Sequence, residues 1–311
     1  MNVLARLMLG VLAASPVFAV AQLGPWSAPQ AITELNTPYG EGWAHIADDG
    51  LTLYYSRYRV EGDGGHYWAQ LYQAKRASPE DAFGLGTRIS ELAFEGHAHS
   101  AWVSPDNLRL YFLRTEGGSE WVIRRSSRPT TDAPWGDSSI LDEFNGFEDV
   151  ANPELSADEL TIVFDAYTNE TTGALYTARR ADRNAAFTDI QALTALNTSD
   201  ARATDLSGDG LTLYFTRLDG AEWHNYVSTR PDLESSFVTA TRITTWDDRY
   251  HIDDISADGQ SAYLGYGGDL YVSRARVVPE TATVIQLTLG LILLVGVARD
   301  ERCRRLIDTP C

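Results

Sequence analysis

Cysteine is nearly missing from this chain: the two present, Cys303 and Cys311, both lie at its far end. No disulfide framework can hold the first 300 residues, and no Cys-x-x-Cys metal or redox motif occurs. Basic charge is also short, 25 Lys and Arg against 43 Asp and Glu for a net charge of −18. That balance excludes duplex nucleic acid as a ligand, because affinity for it depends on neutralising phosphates. The few basic residues are nearly all Arg, whose aliphatic stems can cover apolar surface. Apolar residues at helical spacing are absent between residues 26 and 276. Also lacking are a Gly-x-Ser-x-Gly elbow, a phosphate-binding glycine loop and a His-Glu-x-x-His pair.

What the chain does have is a repeat. One phrase recurs at 47–55, 104–112, 156–164, 207–215 and 256–264, anchored on Asp49, Asp106, Asp158, Asp209 and Asp258. The steps are 57, 52, 51 and 49 residues, a period of propellers and solenoids. In each copy an apolar residue closes one strand. Ser-x-Asp-Gly then makes a turn whose side chains bond their own backbone, and a β-branched and aromatic strand follows. A third strand of the form Leu-Tyr-x-Ala-x-Arg comes later in each copy, as at 71–76 and 175–180. An aromatic (Trp26, Phe83, Trp135, Phe187, Phe237) opens a segment before each hairpin that ends in an apolar strand. Four strands per repeat is a propeller blade. The expected fold is all-β: a five-bladed β-propeller of four-stranded antiparallel blades, with the N-terminal strand near 27–33 completing the blade begun at Ile252.

The phrase Ser-x-Asp-Gly-x-x-Leu-Tyr-Phe, followed by Leu-Tyr-x-Ala-x-Arg, resembles the WD-like repeat of the Tol-type periplasmic β-propellers and their exported bacterial relatives. The resemblance covers residues 26–276, with Asn107 and Glu159 standing where the turn has Gly. It implies an extracytoplasmic module, commonly in contact with protein or glycan, and supplies no catalytic residue.

Both ends of the chain concern address. Arg6 precedes an apolar run over 7–20, and Ala19-Val20-Ala21 suits a signal peptidase, so 1–21 reads as a signal peptide. The propeller then spans 22–277. In 278–311, Pro279 and Glu280 lead into an apolar stretch at 281–298, long enough for a transmembrane helix, followed by Arg299, Arg302, Arg304 and Arg305. This arrangement resembles the PEP-CTERM sorting signal, with Thr281 in place of the second Pro, and implies processing by an exosortase-type transpeptidase. A plain single-span anchor is the alternative. Either way the protein is expected in the cell envelope or at the surface, anchored or released after processing, with a monomeric propeller.

In a propeller the connections into the innermost strands gather at one mouth of the central channel. Polar residues expected there are Glu41, His45, His97, His99, Glu148, Asp149, Asp200, Arg202, Arg249, His251 and Asp253. Nine residues before each anchor Asp stand Gly40, His97, Asp149, Asp200 and Arg249. A binding module for a glycan or a protein asks least of this mouth, with Trp43, Tyr58, Tyr67, Trp68, Trp223 and Tyr250 able to stack on sugar faces. A glycosidase would need two carboxylates facing a sugar, from Glu148, Asp149, Asp200 and Asp253. A structural envelope or matrix component would need neither. His97, His99 and His251 lack a third ligand at metal-binding spacing, so no metal site or cofactor is expected. The first-blade insertion at 60–66 reads first as plain flexible surface, with a lid or a weak Ca²⁺ contact through Glu61 and Asp63 as alternatives.

Overall fold

The computed structural model describes residues 26–61, 66–116, 120–167 and 172–275, and shows five four-stranded antiparallel sheets. Blade I is built from Glu41–Ile46, Thr52–Glu61, His66–Lys75 and Thr87–Arg88. Blade II takes Ala98–Val103, Arg109–Glu116, Glu120–Ser127 and Ser139–Ile140, and blade III takes Asp149–Leu155, Thr161–Tyr167, Gly173–Arg179 and Thr188–Ala192. Blade IV is Ala201–Leu206, Thr212–Asp219, Glu222–Thr229 and Thr241–Arg242. Blade V has His251–Ile255, Ser261–Tyr266 and Asp269–Arg274 from the last repeat, with Gln30–Ala31 as its outer strand. The ring is closed by pairing Gln30 with Val272 and Ala31 with Tyr271.

The outer strands are shorter than the sequence suggests, only two residues long in four of the five blades. The apolar residues after them leave the sheet instead. Ile89 and Leu92, for example, are buried around a short 3₁₀ turn, because the chain must swing back toward the axis to begin the next blade.

Each inner hairpin turn is fastened by its Asp. Asp49, Asp106, Asp158, Asp209 and Asp258 accept the N–H two residues on, at 2.8–3.1 Å. The next residue holds the left-handed conformation in all five turns, including Asn107 (φ 57°) and Glu159 (φ 63°). Gly is the usual occupant, and the two exceptions use their side chains across the blade boundary. Asn107 and Glu159 accept the hydroxyls of Tyr54 and Tyr111 from the preceding blades, at 2.6 and 2.9 Å.

The Arg that ends the third strand is the other half of this clamp. Arg76, Arg128, Arg180 and Arg230 donate Nε to the carbonyl of their own turn residue and lie 4.2–4.6 Å from the ring centroid of Phe83, Trp135, Phe187 or Phe237. Three of them also reach the tyrosine hydroxyl of the neighbouring blade: Arg128 to Tyr54, Arg180 to Tyr111 and Arg76 to Tyr263. The last of these joins blade I to blade V. In blade III the tyrosine position is Val163, and among the described residues Nη2 of Arg230 is buried without a partner.

Among the described residues no helix is long and apolar enough to cross a membrane. Residues 1–21, expected to be a signal peptide, lie outside them, as do Pro279, Glu280, the apolar stretch at 281–298 and residues 62–65, which include Asp63.

Candidate functional site

Every inner strand carries a β-bulge between its first residues and the hairpin. In blades I to III the bulge holds Trp43, Ser100 and Asn152 at φ 46–51°, a conformation L-residues rarely adopt. A bulge re-aims the side chains beyond it. The consequence is a ring at the position four residues before each anchor Asp: His45, Trp102, Glu154, Asp205 and Asp254 meet around the axis. His45 Nδ1 lies 3.0 Å from Asp254, and the rings of His45 and Trp102 are 5.9 Å apart.

These inward carboxylates also stitch blade to blade. Asp254 accepts the N–H of Ile46, Asp253 that of Ala44, and Asp165 that of Ala203, each in the next blade at 3.0–3.1 Å. Burial and crowding raise their proton affinity. Burial, then repulsion from Asp205 and Asp254, pushes Glu154 well above the ordinary carboxylate range, and burial with Asp254 nearby does the same to Asp205. Burial pushes Asp165 and Asp253 up to about 7, against the hydrogen bonds they accept. His45 moves up on balance: burial pulls it down, and the Asp254 carboxylate outweighs that. Burial drives His99 down to about 3.

Above the ring opens an axial cavity of about 430 Å³, in the range of small-molecule sites. Every blade contributes: Trp43 and Tyr58 from I, Ser100 from II, Asn152 and Glu154 from III, Arg202 and Trp223 from IV, and His251, Asp253 and Tyr266 from V. Arg202 lies 4.5 Å from the ring centroid of Trp223.

Of the residues expected at the mouth, Glu41, His45, Arg202, His251 and Asp253 line this cavity. Glu41 accepts from Arg57 Nε and Thr37 Oγ1, both at 2.6 Å, and from Thr37 N. Asp200 sits at the rim, holding Gly173 N at 2.9 Å. Glu148 and Asp149 line a separate recess between blades II and III, and Asp149 accepts the N–H of Trp121. Arg249 pairs with Asp247 on the outer rim. His97 accepts the N–H of Ala69, while the ring of His99 stacks on Trp43. Among the described residues no cluster of three or more His, Cys, Asp and Glu is placed to hold a metal ion. Tyr250 packs against Tyr266 and Tyr271.

Glu154, Asp165, Asp205, Asp254, Ser100, Asn152 and Tyr266 were not among the residues expected at the site. The ring positions are in phase with the repeat, and aligning the copies four residues before the anchor Asp brings them out.

No protein-family model matches this chain, and no curated protein sequence does. Among solved structures, TolB from Acinetobacter baumannii is similar over 72% of this chain and 50% of its own, at 17% identity and a TM-score of 0.46. An α-L-arabinofuranosidase from Podospora anserina, in complex with cellotriose, is similar over 76% of this chain and 90% of its own, at 11% identity and a TM-score of 0.49. The present chain therefore spans half the length of the TolB structure. The five-bladed ring rests on this chain's own strand pairings and not on these likenesses.

The buried acids have a consequence for stability. An acid whose folded pKa is raised binds a proton that the unfolded chain releases, so its stabilisation is present at low pH and lost as pH rises from about 4 to the folded value near 7. His99, held neutral, works in the opposite sense below its ordinary value of 6.5, and His97 and His251 are lowered by burial too. Above about pH 6.5 the acids act together with His45, whose raised proton affinity is lost in the same direction. The melting temperature is expected to fall between pH 6 and 8, and Asp165→Asn should shrink that fall. Melting curves across that range check it, and a flat profile in the unaltered protein would contradict the assignment.

Proposed function

We propose that this protein is an exported binding module that holds a neutral carbohydrate in the axial cavity. The observation that carries the reading is the cavity's lining: aromatic rings from three blades beside hydrogen-bonding groups from all five, at a size that suits a small ligand. Burial favours the neutral forms of Glu154, Asp253 and His251, and His45 is paired with Asp254, so hydroxyl groups suit the cavity better than a strong charge. Export and anchoring are supported by the leader-like residues 1–21 and by the Pro279-Glu280, apolar and arginine-rich sequence that follows the propeller.

Hydrolysis is the second reading, favoured by Asp253, a carboxyl at the cavity that burial pushes up to about 7, as a general acid requires. It also needs an ionised carboxylate across the sugar. Glu41 is the other lining carboxylate outside the ring, and both its oxygens are engaged by Arg57 and Thr37. That favours binding over turnover.

A neutral-glycan array followed by calorimetry tests the reading. Trp223→Ala should weaken binding by about thirtyfold, the scale of a hot-spot aromatic at roughly 2 kcal/mol. Failure to bind any neutral saccharide at millimolar concentration would overturn the proposal. Glycoside turnover lost in Asp253→Asn would replace it with hydrolysis.

A further inference from the structure

The axial cavity is not the only concavity on the mouth face. The recess between blades II and III measures about 770 Å³, with Trp121, Phe147 and Tyr167 in its lining and the carboxylates of Glu120, Glu148 and Asp149 around them. Glu120 and Glu148 are solvent-exposed, and Asp149 is half-buried.

A continuous file of rings joins the two concavities. Trp43, in the cavity wall, stacks on His99 with centroids 4.4 Å apart and planes 20° from parallel. His99 in turn lies 4.6 Å from Trp121, in the recess. His97 fills the angle beside them, 5.8 Å from Trp121 and 6.4 Å from Tyr58. The left-handed backbone at Trp43 and the bulges in blades I and II set this file across the boundary between those blades. Strained backbone that positions an aromatic beside a cavity is a common companion of ligand sites.

We infer that the recess is a second saccharide subsite, and that the ligand is an extended neutral oligosaccharide lying from the axial cavity over the half-buried rings of Trp43 and Trp121, between which His99 is wedged as a spacer, into the recess. The inference rests on the proposed function of the cavity and adds the length and charge of the ligand. Aromatic faces accept successive sugar rings with little entropy cost. The recess carboxylates accept hydrogen bonds from hydroxyls. The same carboxylates repel a polyuronate, whose charge has their sign.

The test uses the intact protein and a ladder of β-1,4-linked gluco-, xylo- and manno-oligosaccharides of one to six units, with oligogalacturonides of equal length. For the neutral series that binds, affinity should rise at least tenfold between the di- and hexasaccharide, and oligogalacturonides should bind at least tenfold more weakly. Trp121→Ala should remove the gain with length and leave disaccharide affinity unchanged, whereas Trp223→Ala should weaken both. A hexasaccharide no tighter than the disaccharide in the unaltered protein overturns the extended ligand while leaving the cavity site standing; that measurement needs no variant to fold. Equal loss for both lengths in Trp121→Ala, or tight binding of oligogalacturonides, overturns it as well. If no member of the ladder binds, cavity and recess readings fall together.

Discussion

A chain lacking residues 22–36 is expected to lose cooperative thermal unfolding and to aggregate. The missing segment carries the outer strand of blade V, so among the described residues the Asp269–Arg274 strand would become a bare edge, and unpaired edges recruit other chains. It also carries Trp26, Ile32 and Leu35, which are at most 7% exposed. Ile32 and Leu35 belong to a cluster shared with residues of blades I and V, and Trp26 packs with Trp246. Burying each such side chain contributes roughly 1.5–3 kcal/mol, so their sum is comparable with the net stability of an ordinary domain, about 5–15 kcal/mol. Hydrogen bonds are lost as well: both amide groups of the Asn36 side chain bracket the backbone of Leu270, and Ser27 bonds Arg274 and Ser273. Calorimetry and light scattering check the outcome. A truncated chain with an unchanged, monomeric transition would show that the ring does not depend on this closure.

The second large effect is expected from Glu159→Ala. Glu159 is fully buried, accepts Tyr111 Oη, and lies 2.6, 3.3 and 3.7 Å from Arg109, Arg183 and Arg180. Removing one partner from a buried ionic group leaves charge behind without compensation, at a cost of about 3–5 kcal/mol. For a domain of this size that is a fall in melting temperature on the order of 10 °C. Alanine also inherits a left-handed backbone, so Glu159→Gly, which relieves that strain, should fall less far. Two variants melting within a degree of the unaltered protein would mean that the clamp does not hold the II–III boundary.

Much of the ring is visible in the amino-acid order because its signals are local. A Ser-x-Asp turn and a β-branched strand are written within nine residues, and repetition multiplies the signal. The closing strand could be read for the same reason, since the last repeat ends one strand short. The cross-blade chemistry is less visible. The repeated Arg looks like a stem covering apolar surface, and nothing local says that its guanidinium reaches a tyrosine in the neighbouring blade. The candidate site was harder still. Side-chain direction alternates along a strand, so one bulged residue reverses every inward and outward assignment beyond it. Counting back from the turn therefore puts emphasis on Arg249 and Asp149, which the structure places at the outer rim and in the recess, and passes over Glu154 and Asp205.

The tyrosine–arginine clamp also says what kind of module this propeller is made from. Each clamp takes its hydroxyl from one blade and its guanidinium from the next, so a blade is not a self-contained part. The chain from a clamp's tyrosine to its arginine, as from Tyr54 to Arg128, is longer than one repeat, so no single-repeat piece contains a whole clamp. A duplicated or transplanted blade would arrive with a tyrosine and an arginine that each need a partner in a neighbouring blade; at the III–IV boundary, where Val163 takes the tyrosine position, Nη2 of Arg230 is left without one. Gain or loss of blades in such a ring is then governed by whether the seams match, and only secondarily by whether each blade folds.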